Sequence, residues 1–233
     1  MEALGARWLH RLGRTLLAPR CLVCGARGDG GLDLCADCAA ALPWNTTACP
    51  RCALPLPDAG PCGHCLRHPP PMTATRAALV YRAPLDRLVP RLKFHHDLAA
   101  GRLLASLMAR GLADAERPQA LVPVPLHDRR LRQRGYDQAL ELARALGRHL
   151  DLPVLEDALL RNRDTAPQSE QDASARRRNL RGAFAVRPGT ALPAHVALVD
   201  DVMTTGATLH AASLALLRAG AGRVDGWVCA RVE

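Results

Sequence analysis

The sequence predicts an α/β fold in which a mostly parallel sheet is flanked by helices and preceded by a small metal-binding cysteine module. Apolar strand-like runs alternate with helical patterns from residue 76 onward, as they do in βαβ units. Eight of the nine cysteines lie within residues 21–65, a segment with little core of its own. The 233 residues are enough for one full domain plus a small one.

The individual strands and helices follow from the spacing of the apolar residues. The strand candidates are 77–81, 120–124, 153–159, 182–186, 195–200 and 224–230, and the helix candidates are 85–94, 99–113, 136–150 and 208–219. The polar, Arg-rich stretch 161–181 lies between two strand candidates and is predicted to be a long mobile loop. Loops of this length inside a compact domain are usually functional.

The two remaining segments complete the predicted organisation. Residues 1–20 are predicted to form an amphipathic helix, because Leu4, Trp8 and Leu12 recur at helical spacing among basic residues. This segment lacks the unbroken apolar stretch and the cleavage site of a signal peptide, so packing against the protein itself is favoured over a membrane surface. Three successive prolines predict a linker over 66–75, which leaves 76–233 as the main domain.

Composition limits the partners and the location. A net charge of +9 favours anionic partners such as phosphates, nucleic acid or lipid head groups, although a solvated arginine-rich surface explains the charge equally well. Aromatic residues make up only 3% of the chain, which leaves little material for a platform that stacks single-stranded nucleic acid. No run of about 18 or more apolar residues is present, so no membrane span is expected and the cytoplasm is the predicted location.

The cysteines of residues 21–65 form four Cys-x-x-Cys pairs, a spacing that lets two thiolates of one turn bind a single tetrahedral metal ion. The eight cysteines are Cys21, Cys24, Cys35, Cys38, Cys49, Cys52, Cys62 and Cys65. They provide ligands for two closed zinc sites of four cysteines each, and sites with no open position are structural. Two successive ribbons are favoured, whereas a cross-braced arrangement joins the first pair with the third and the second with the fourth.

A disulfide framework is the main alternative for these cysteines. It is disfavoured because the chain shows no export signal and cytosolic thiols stay reduced. A redox role is weaker still, since redox Cys-x-x-Cys motifs occur singly. Cys229 lies in a predicted buried strand and is interpreted as a core residue.

The strongest functional signal is HVALVDDVMTTGATL at residues 195–209. An apolar strand ends in two acids, Asp200 and Asp201, and a loop rich in Thr and Gly leads into a helix. Backbone N–H groups and hydroxyls at a helix N-terminus favour a phosphate, and Gly206 allows close approach of the backbone. Two carboxylates beside an anion site suit a sugar diol, or an Mg2+ ion held beside it. A helix that is merely N-capped would explain the threonines but not the acid pair.

A second segment ends another predicted strand. LVPVPLH at residues 121–127 contains two prolines and is followed by DRRLRQRGYDQ. Its arginines supply forked donors suited to phosphate oxygens, at Arg129, Arg130, Arg132 and Arg134. Alone, such a cluster indicates a solvated helix face, but beside the acid-rich loop it indicates an anion site.

The 195–209 segment resembles the loop of type I phosphoribosyltransferases that binds 5-phosphoribosyl-1-pyrophosphate (PRPP). The resemblance implies a phosphoribosyltransferase-like sheet, in which Asp200 and Asp201 hold the ribose hydroxyls and act as the catalytic acids. It further implies a 5′-phosphate cradle made by Thr204, Thr205, Gly206, Ala207 and Thr208. Pyrophosphate, with Mg2+, would lie against Val124, Pro125, Leu126, Arg129, Arg132 and Arg134.

Residues 21–231 as a whole resemble the ComF family, whose members join a double zinc ribbon to a domain of this type. The matching pieces, in order, are the cysteine pairs, LKFHHDLAAGRLLA at 92–105, VPVPLHDRRLRQRGYDQA at 122–139, TAPQ…RRRNLRGAF at 165–184 and VDDVMTTGATL at 199–209. The resemblance also implies residues that close over the ligand, namely Lys93, Gln168, Arg176 and Asn179. The chain departs from the family pattern at Asp137, where Asn is usual, at His96, where Gly is common, and at Gln171, where Leu is common.

Two hypotheses for the function follow. In the first, the protein is an enzyme that transfers a phosphoribosyl group from PRPP with loss of pyrophosphate. In the second, the domain senses PRPP or a nucleotide without turnover, and the zinc ribbons and basic surface bind single-stranded DNA or a partner protein. The family resemblance implies a role in natural transformation, in which incoming DNA is handled in the cytoplasm.

Overall fold

The computed structural model describes residues 19–162, 180 and 182–233. Almost all of the expected 1–20 helix lies outside these residues, as does most of the 161–181 loop. The helices are α1 Ala36–Ala40, α2 Gly63–Arg67, α3 Leu85–Phe94, α4 Leu98–Gly111, α5 Asp128–Arg134, α6 Gln138–Leu150 and α7 Ala207–Arg218. The strands are β1 Thr75–Val80, β2 Ala120–Pro123, β3 Leu159–Arg161, β4 Phe184–Val186, β5 His195–Met203 and β6 Arg223–Arg231.

The main sheet has four strands in the order β1-β6-β5-β2, and every neighbouring pair is parallel. The register places Pro123 of β2 opposite Val199 of β5, and Val199 opposite Trp227 of β6. The predicted parallel sheet is therefore confirmed. Because the strands are parallel, their carboxyl ends meet along one edge, where the predicted ligand loops begin.

Helices cover both faces of this sheet because neighbouring residues of each strand point to opposite faces. On one face, Leu88 of α3, Leu104 of α4 and Leu146 of α6 pack with Leu121 of β2 in one buried cluster. On the other face, α7 packs against the sheet in a second cluster, which contains Leu216 and Val122 among its residues. None of the described helices is long and apolar enough to cross a membrane.

Two of the strand predictions were wrong about the main sheet. In the stretch 153–159, only Val154 bridges to Leu121, and the chain then turns before β3. β3 pairs antiparallel with β4 in a separate two-stranded sheet, so the predicted 182–186 strand also lies outside the main sheet. Apolar content alone predicted these strands, but it does not specify the hydrogen-bonding partner. Helix α5 was not predicted, because its residues were interpreted only as an arginine cluster.

At the amino edge of the sheet, charged side chains neutralise one another. The Asp225 carboxylate lies 2.9 Å from His195 Nε2 and 2.9 Å from Arg223 Nη2. Arg223 also pairs with Glu116 at 2.5 Å, and the Ala74 N–H donates to Asp225 at 3.1 Å. Asp225 is therefore held by several partners at the amino edge of the sheet.

Candidate metal centres and ligand site

The eight cysteines of the N-terminal module form two clusters, and within each the four Sγ atoms lie within 4.8 Å of one another. Site 1 contains Cys21, Cys24, Cys35 and Cys38, and site 2 contains Cys49, Cys52, Cys62 and Cys65. The first pair thus joins the second, and the third joins the fourth, so the successive arrangement is present and the cross-braced one is not. Sγ separations of 3.6 Å for Cys24–Cys35 and 3.7 Å for Cys52–Cys62 are too long for a disulfide bond.

The backbone around Cys49 of site 2 favours its thiolate, the form that binds zinc. The Cys62 N–H donates to Cys49 Sγ at 3.3 Å. Burial of Cys49 opposes its ionisation, but the N–H groups of Cys62, Arg51 and Cys52 outweigh burial and lower the pKa of this thiol to about 7. Each cluster therefore suits one structural zinc ion with four protein ligands and no open position.

The acid pair lies at the carboxyl edge of the sheet, next to the end of β2. Asp200 and Asp201 are near the end of β5, and Pro123, the last residue of β2, pairs with Val199 just before them. The Val124 N–H donates to the Val199 carbonyl at 2.9 Å, which holds the start of the 124–127 loop beside β5. The structure thus brings together the two segments that the sequence analysis singled out for ribose and pyrophosphate.

Asp201 is buried, with 4% of its surface exposed, and it forms an ion pair with Lys93. Lys93 Nζ lies 3.0 Å from Asp201 Oδ1, although Lys93 belongs to α3 and is distant in sequence. Asp201 Oδ2 is also buried, and among the described residues it has no hydrogen-bond partner. A buried carboxylate oxygen without a donor is costly, so this atom is suited to a hydroxyl or other donor from a ligand.

The ionised form of Asp200 is disfavoured by its surroundings. Burial and the adjacent Asp201 charge raise its pKa well above the usual value of an aspartate, and Lys93 only partly offsets them. Its Oδ1 accepts the Asp201 N–H at 2.8 Å. The two acids therefore share a site where neutral donors or a cation would relieve their repulsion.

Asp200→Asn is expected to stabilise the ligand-free protein, and the gain should grow as the pH rises from 5 to 8. The native pKa of Asp200 lies above its unfolded value, so the protonated carboxyl stabilises the fold at low pH and this contribution is lost as pH rises through the native pKa. Asparagine stays neutral throughout, and we expect a gain of about 1–3 kcal/mol at pH 8.

Urea unfolding of both proteins across this pH range measures the effect. Asp157→Asn is the control, since its side chain is 85% exposed and pairs with Arg187. A stability difference between Asp200→Asn and the parent chain that does not change with pH would contradict the assignment.

The Thr- and Gly-rich loop leads from β5 into α7. Thr204 and Thr205 are exposed, and Gly206 occupies the N-cap position of α7 with φ +74. The N-cap residue Gly206 has no side chain that could cap the helix, and the Ala207 N–H donates to Thr205 Oγ1 at 3.4 Å. The first-turn N–H groups, including that of Thr208, are suited to an anion, as is the positive end of the helix dipole.

Asp137 fixes the second loop through both of its carboxylate oxygens. Its Oδ2 accepts the Leu126 N–H at 2.7 Å, and its Oδ1 accepts the N–H groups of Ala139 at 2.9 Å and Leu140 at 3.2 Å. The carboxylate thus caps α6 and holds the loop at the same time. Neither role of Asp137 was predicted, although an Asp just before a helical pattern is an N-cap signal.

The arginines of the second segment lie on α5. Arg129 and Arg132 are exposed, whereas Arg134 is partly buried, with its guanidinium 5.2 Å from the Phe94 ring centre and Nη1 3.1 Å from Gln138 Oε1. Pro125 and Leu126 are partly buried between β2 and this helix. The structure therefore joins Arg134 to α3 and α6, and it leaves Arg129 and Arg132 at the surface.

The remaining sequence-predicted residues and one unpredicted residue complete the site. Gln168, Arg176 and Asn179 lie outside the described residues. The buried hydroxyl of Tyr136 has no hydrogen-bond partner among the described residues, and its ring lies 5.1 Å from that of His96. His96 has φ +52, a conformation that glycine adopts most easily.

The fold and the clusters define an α/β protein with a parallel sheet, preceded by two zinc-ribbon-like metal sites. The family model of the double zinc ribbon domain matches residues 12–66. The DNA utilization protein YhgH of Escherichia coli K12 is 36% identical over 212 residues, which cover 87% of this chain and 92% of the relative. Competence protein F of Haemophilus influenzae is 38% identical over 178 residues, covering 73% and 78%. The chain belongs to this ComF/YhgH family of competence proteins with an N-terminal double zinc ribbon.

A more distant relative agrees with this membership. Competence protein ComFC of Streptococcus pneumoniae is 30% identical over 147 residues, which cover 63% of this chain and 63% of the relative. The names of the relatives associate the family with competence and with DNA utilization.

Proposed function

We propose that this protein binds PRPP with Mg2+ at the carboxyl edge of its sheet and transfers the phosphoribosyl group to an acceptor. The observation that supports this most is the placement of two adjacent acids at the end of β5, one short loop before a helix whose N-cap residue is Gly206. The buried Oδ2 of Asp201 lacks a donor among the described residues, as a site made for sugar hydroxyls would require. A site for phosphate alone would not be expected to carry this acid pair.

Each part of PRPP has a candidate partner in this site. Asp200 and Asp201 accept the ribose 2′- and 3′-hydroxyls, and the loop from Thr204 to Thr208 binds the 5′-phosphate. Pyrophosphate lies along residues 124–134, where Asp137 holds the loop and the exposed Arg129 and Arg132 supply charge. Carboxylates are also Mg2+ ligands, so Asp200 and Asp201 are the residues that would hold the ion directly or through water.

The transfer needs little covalent chemistry from the protein. A nucleophile on the acceptor forms a bond to C1′ while the bond from C1′ to the pyrophosphate oxygen breaks, and pyrophosphate leaves with the bonding electrons. Mg2+ supplies charge neutralisation for that leaving group. The protein contributes by orienting the ribose and by stabilising the developing anion.

Calorimetric titration with PRPP and Mg2+ tests the proposal. We expect one binding site per chain, and inorganic pyrophosphate should compete for it. The absence of binding in metal-loaded, folded protein would overturn the proposed function. Pyrophosphate release during incubation with candidate acceptors separates an enzyme from a sensor that binds PRPP without turnover.

A second candidate function is the binding of single-stranded DNA, and the surface around α5 favours it. Arg129 and Arg132 are exposed there, next to Leu131, which is 39% exposed. Phe94 is 61% exposed and Leu98 is 50% exposed on the adjoining α3–α4 turn. Basic residues beside an exposed aromatic ring suit phosphates and a stacked base, and the names of the relatives connect this family with DNA uptake.

Arg129→Gln combined with Arg132→Gln is expected to weaken single-stranded DNA binding and to flatten its salt dependence. Removal of one arginine–phosphate interaction should reduce the slope of log K against log salt by about 0.7, so the double variant should have a slope reduced by about 1.4. Fluorescence anisotropy with an oligonucleotide at several salt concentrations measures this slope. Arg187→Gln, another exposed arginine, is the control, and an unchanged slope in the double variant would exclude this surface.

A further inference from the structure

Arg231 joins metal site 2 to the strand that carries the phosphate loop. This residue ends β6 and is buried, with 9% of its surface exposed. Its Nε donates to the carbonyl of Cys52, a ligand of site 2, at 3.0 Å. Its Nη1 donates to the carbonyl of Met203, the last residue of β5, at 3.2 Å. One guanidinium thus bridges a metal ligand and the base of the loop.

The turn between Cys49 and Cys52 is itself built into the main domain. Thr75, the first residue of β1, donates its N–H to the Pro50 carbonyl at 2.9 Å and its hydroxyl to the Arg51 carbonyl at 2.8 Å. Ala53 is 1% exposed and belongs to the same buried cluster as Met203. A displacement of this turn would therefore reach the sheet edge directly, since buried groups are close-packed.

The path continues from Met203 into the loop. A Cβ added at Gly206 would lie 2.4 Å from Met203 Cε, so the Gly206 backbone rests on the Met203 side chain. A cavity of about 100 Å³ lies between the ribbon and the loop, and its lining includes Cys65 and His64 on one side and Thr205 and Gly206 on the other. Metal site 2 and the phosphate loop are therefore close neighbours.

The hydrogen bonds of Arg231 make this connection directional. The Cys52 carbonyl is held in place by the turn that a metal at site 2 would fix, and Arg231 donates to this carbonyl and to Met203 at the same time. A turn released from the metal would leave the Cys52 carbonyl free to move, so the bridge to Met203 should loosen when the metal is lost.

We propose that Arg231 couples metal site 2 to the phosphate loop, so that bound zinc favours the ligand-binding form of the loop and bound ligand tightens the zinc site. This inference rests on the proposed binding of PRPP at the loop. Coupling between two sites is reciprocal, so each ligand must raise the affinity for the other by the same factor. Arg231 acts as a positioning residue, because its contacts are with the protein rather than with the ligand.

Site 1 provides an internal comparison. Its contacts with the main domain include Arg91, whose Nη1 donates to the Leu22 carbonyl at 2.7 Å and whose Nε donates to Asp97 at 2.7 Å. Cys21 and Cys35 also pack in one buried cluster with Leu88 of α3. These contacts lead to α3 and to the α3–α4 turn, and they do not involve Met203 or Gly206. The effect of PRPP should therefore be larger at site 2 than at site 1.

Pulsed alkylation of the zinc-loaded protein with a chelator present, followed by mass spectrometry, tests the coupling. The rate is read separately for the cysteines of site 1 and of site 2, with and without saturating PRPP and Mg2+. We expect PRPP to slow alkylation at site 2 by at least about fivefold and to have a smaller effect at site 1. Calorimetry on the same sample reports PRPP binding independently.

Two variants of Arg231 separate coupling from simple support of the fold. Arg231→Met should abolish the protection of site 2 by PRPP, and Arg231→Lys should restore part of it, since lysine keeps the charge but not the forked donors. Arg223→Lys, at the opposite end of the same strand, should behave like the parent chain. Circular dichroism identifies a variant that fails to fold. If Arg231→Met does not fold, the coupling is judged from the protection of site 2 by PRPP in the parent chain and in Arg231→Lys.

The outcomes are distinct. PRPP binding without selective protection of site 2 in the parent chain would overturn the coupling and leave the proposed function intact. Equal protection in Arg231→Met and the parent chain would show that Arg231 is not the connection. An absence of PRPP binding would remove both proposals.

Discussion

Replacing Asp200 and Asp201 together by asparagine is expected to lower PRPP affinity by at least about 100-fold while leaving the protein folded. Hydrogen bonds to a charged group contribute about 1.5–3 kcal/mol each, and both carboxylates are proposed to accept ribose hydroxyls. The substitution also removes the negative charge that would hold Mg2+. Folding should persist, because the change relieves the repulsion that raises the pKa of Asp200.

Calorimetry measures the affinity, and thermal unfolding followed by circular dichroism checks the fold. Lys93 loses its partner in the double variant, but its side chain is 23% exposed and can turn to solvent. Asp157→Asn serves as the matched control, since it makes the same chemical change at an exposed position. Unchanged PRPP affinity in the double variant would show that the ribose site lies elsewhere.

Cys49→Ser is expected to reduce the bound zinc from two ions to one per chain and to lower the free energy of unfolding by several kcal/mol. Cys49 is fully buried in site 2, and its Sγ also accepts the Cys62 N–H. Structural zinc contributes about 10–16 kcal/mol of apparent binding free energy in zinc-finger peptides, so a site with three cysteines should hold its metal far more weakly.

Metal analysis by atomic emission and urea unfolding measure the two effects. Cys229→Ser is the control for zinc content, because Cys229 is buried in the sheet and belongs to neither cluster. A strong chelator should release both ions from the parent chain. Parent protein that is purified with oxidised cysteines and no zinc would contradict the structural zinc sites, as would Cys49→Ser protein that retains both ions.

Much of the architecture could be predicted because local patterns specified it. The bounds of α3 match the prediction of 85–94, where buried leucines recur at helical spacing after Pro84. The stretch 153–159 could not be resolved in the same way. Its apolar residues indicate burial, but the Leu121 carbonyl accepts the Leu155 N–H and only one residue bridges to β2. The choice between a bridge and a strand depends on the neighbouring chain, which local spacing does not encode.

In the candidate site, too, features set by local sequence were predictable, and features set by distant contacts were not. The acid pair and the loop from Thr204 to Thr208 are contiguous in sequence, so their placement at a strand end and a helix start was predictable. The contact between Lys93 and Asp201 was not predictable from spacing, although the family resemblance pointed to Lys93. The helix cap formed by Asp137 is a local signal, whereas its acceptance of the Leu126 N–H depends on how the loop folds back. The role of Arg231 depends on backbone groups far along the chain, as when it donates to the Cys52 carbonyl.

The central position of β6 has a consequence for hydrogen exchange. This strand is paired on both sides, with β1 and β5, and eight of its nine residues are buried. Amides in such a strand exchange with solvent mainly through global opening, so β6 should contain some of the slowest amides of the protein. Arg231 ends this strand and donates to the carbonyls of Cys52 and Met203. These two residues are therefore hydrogen-bonded to a strand that opens slowly. The motions that admit and release a ligand are therefore expected at the exposed Thr204 and Thr205. The amides around Met203 should stay protected from hydrogen exchange between binding events.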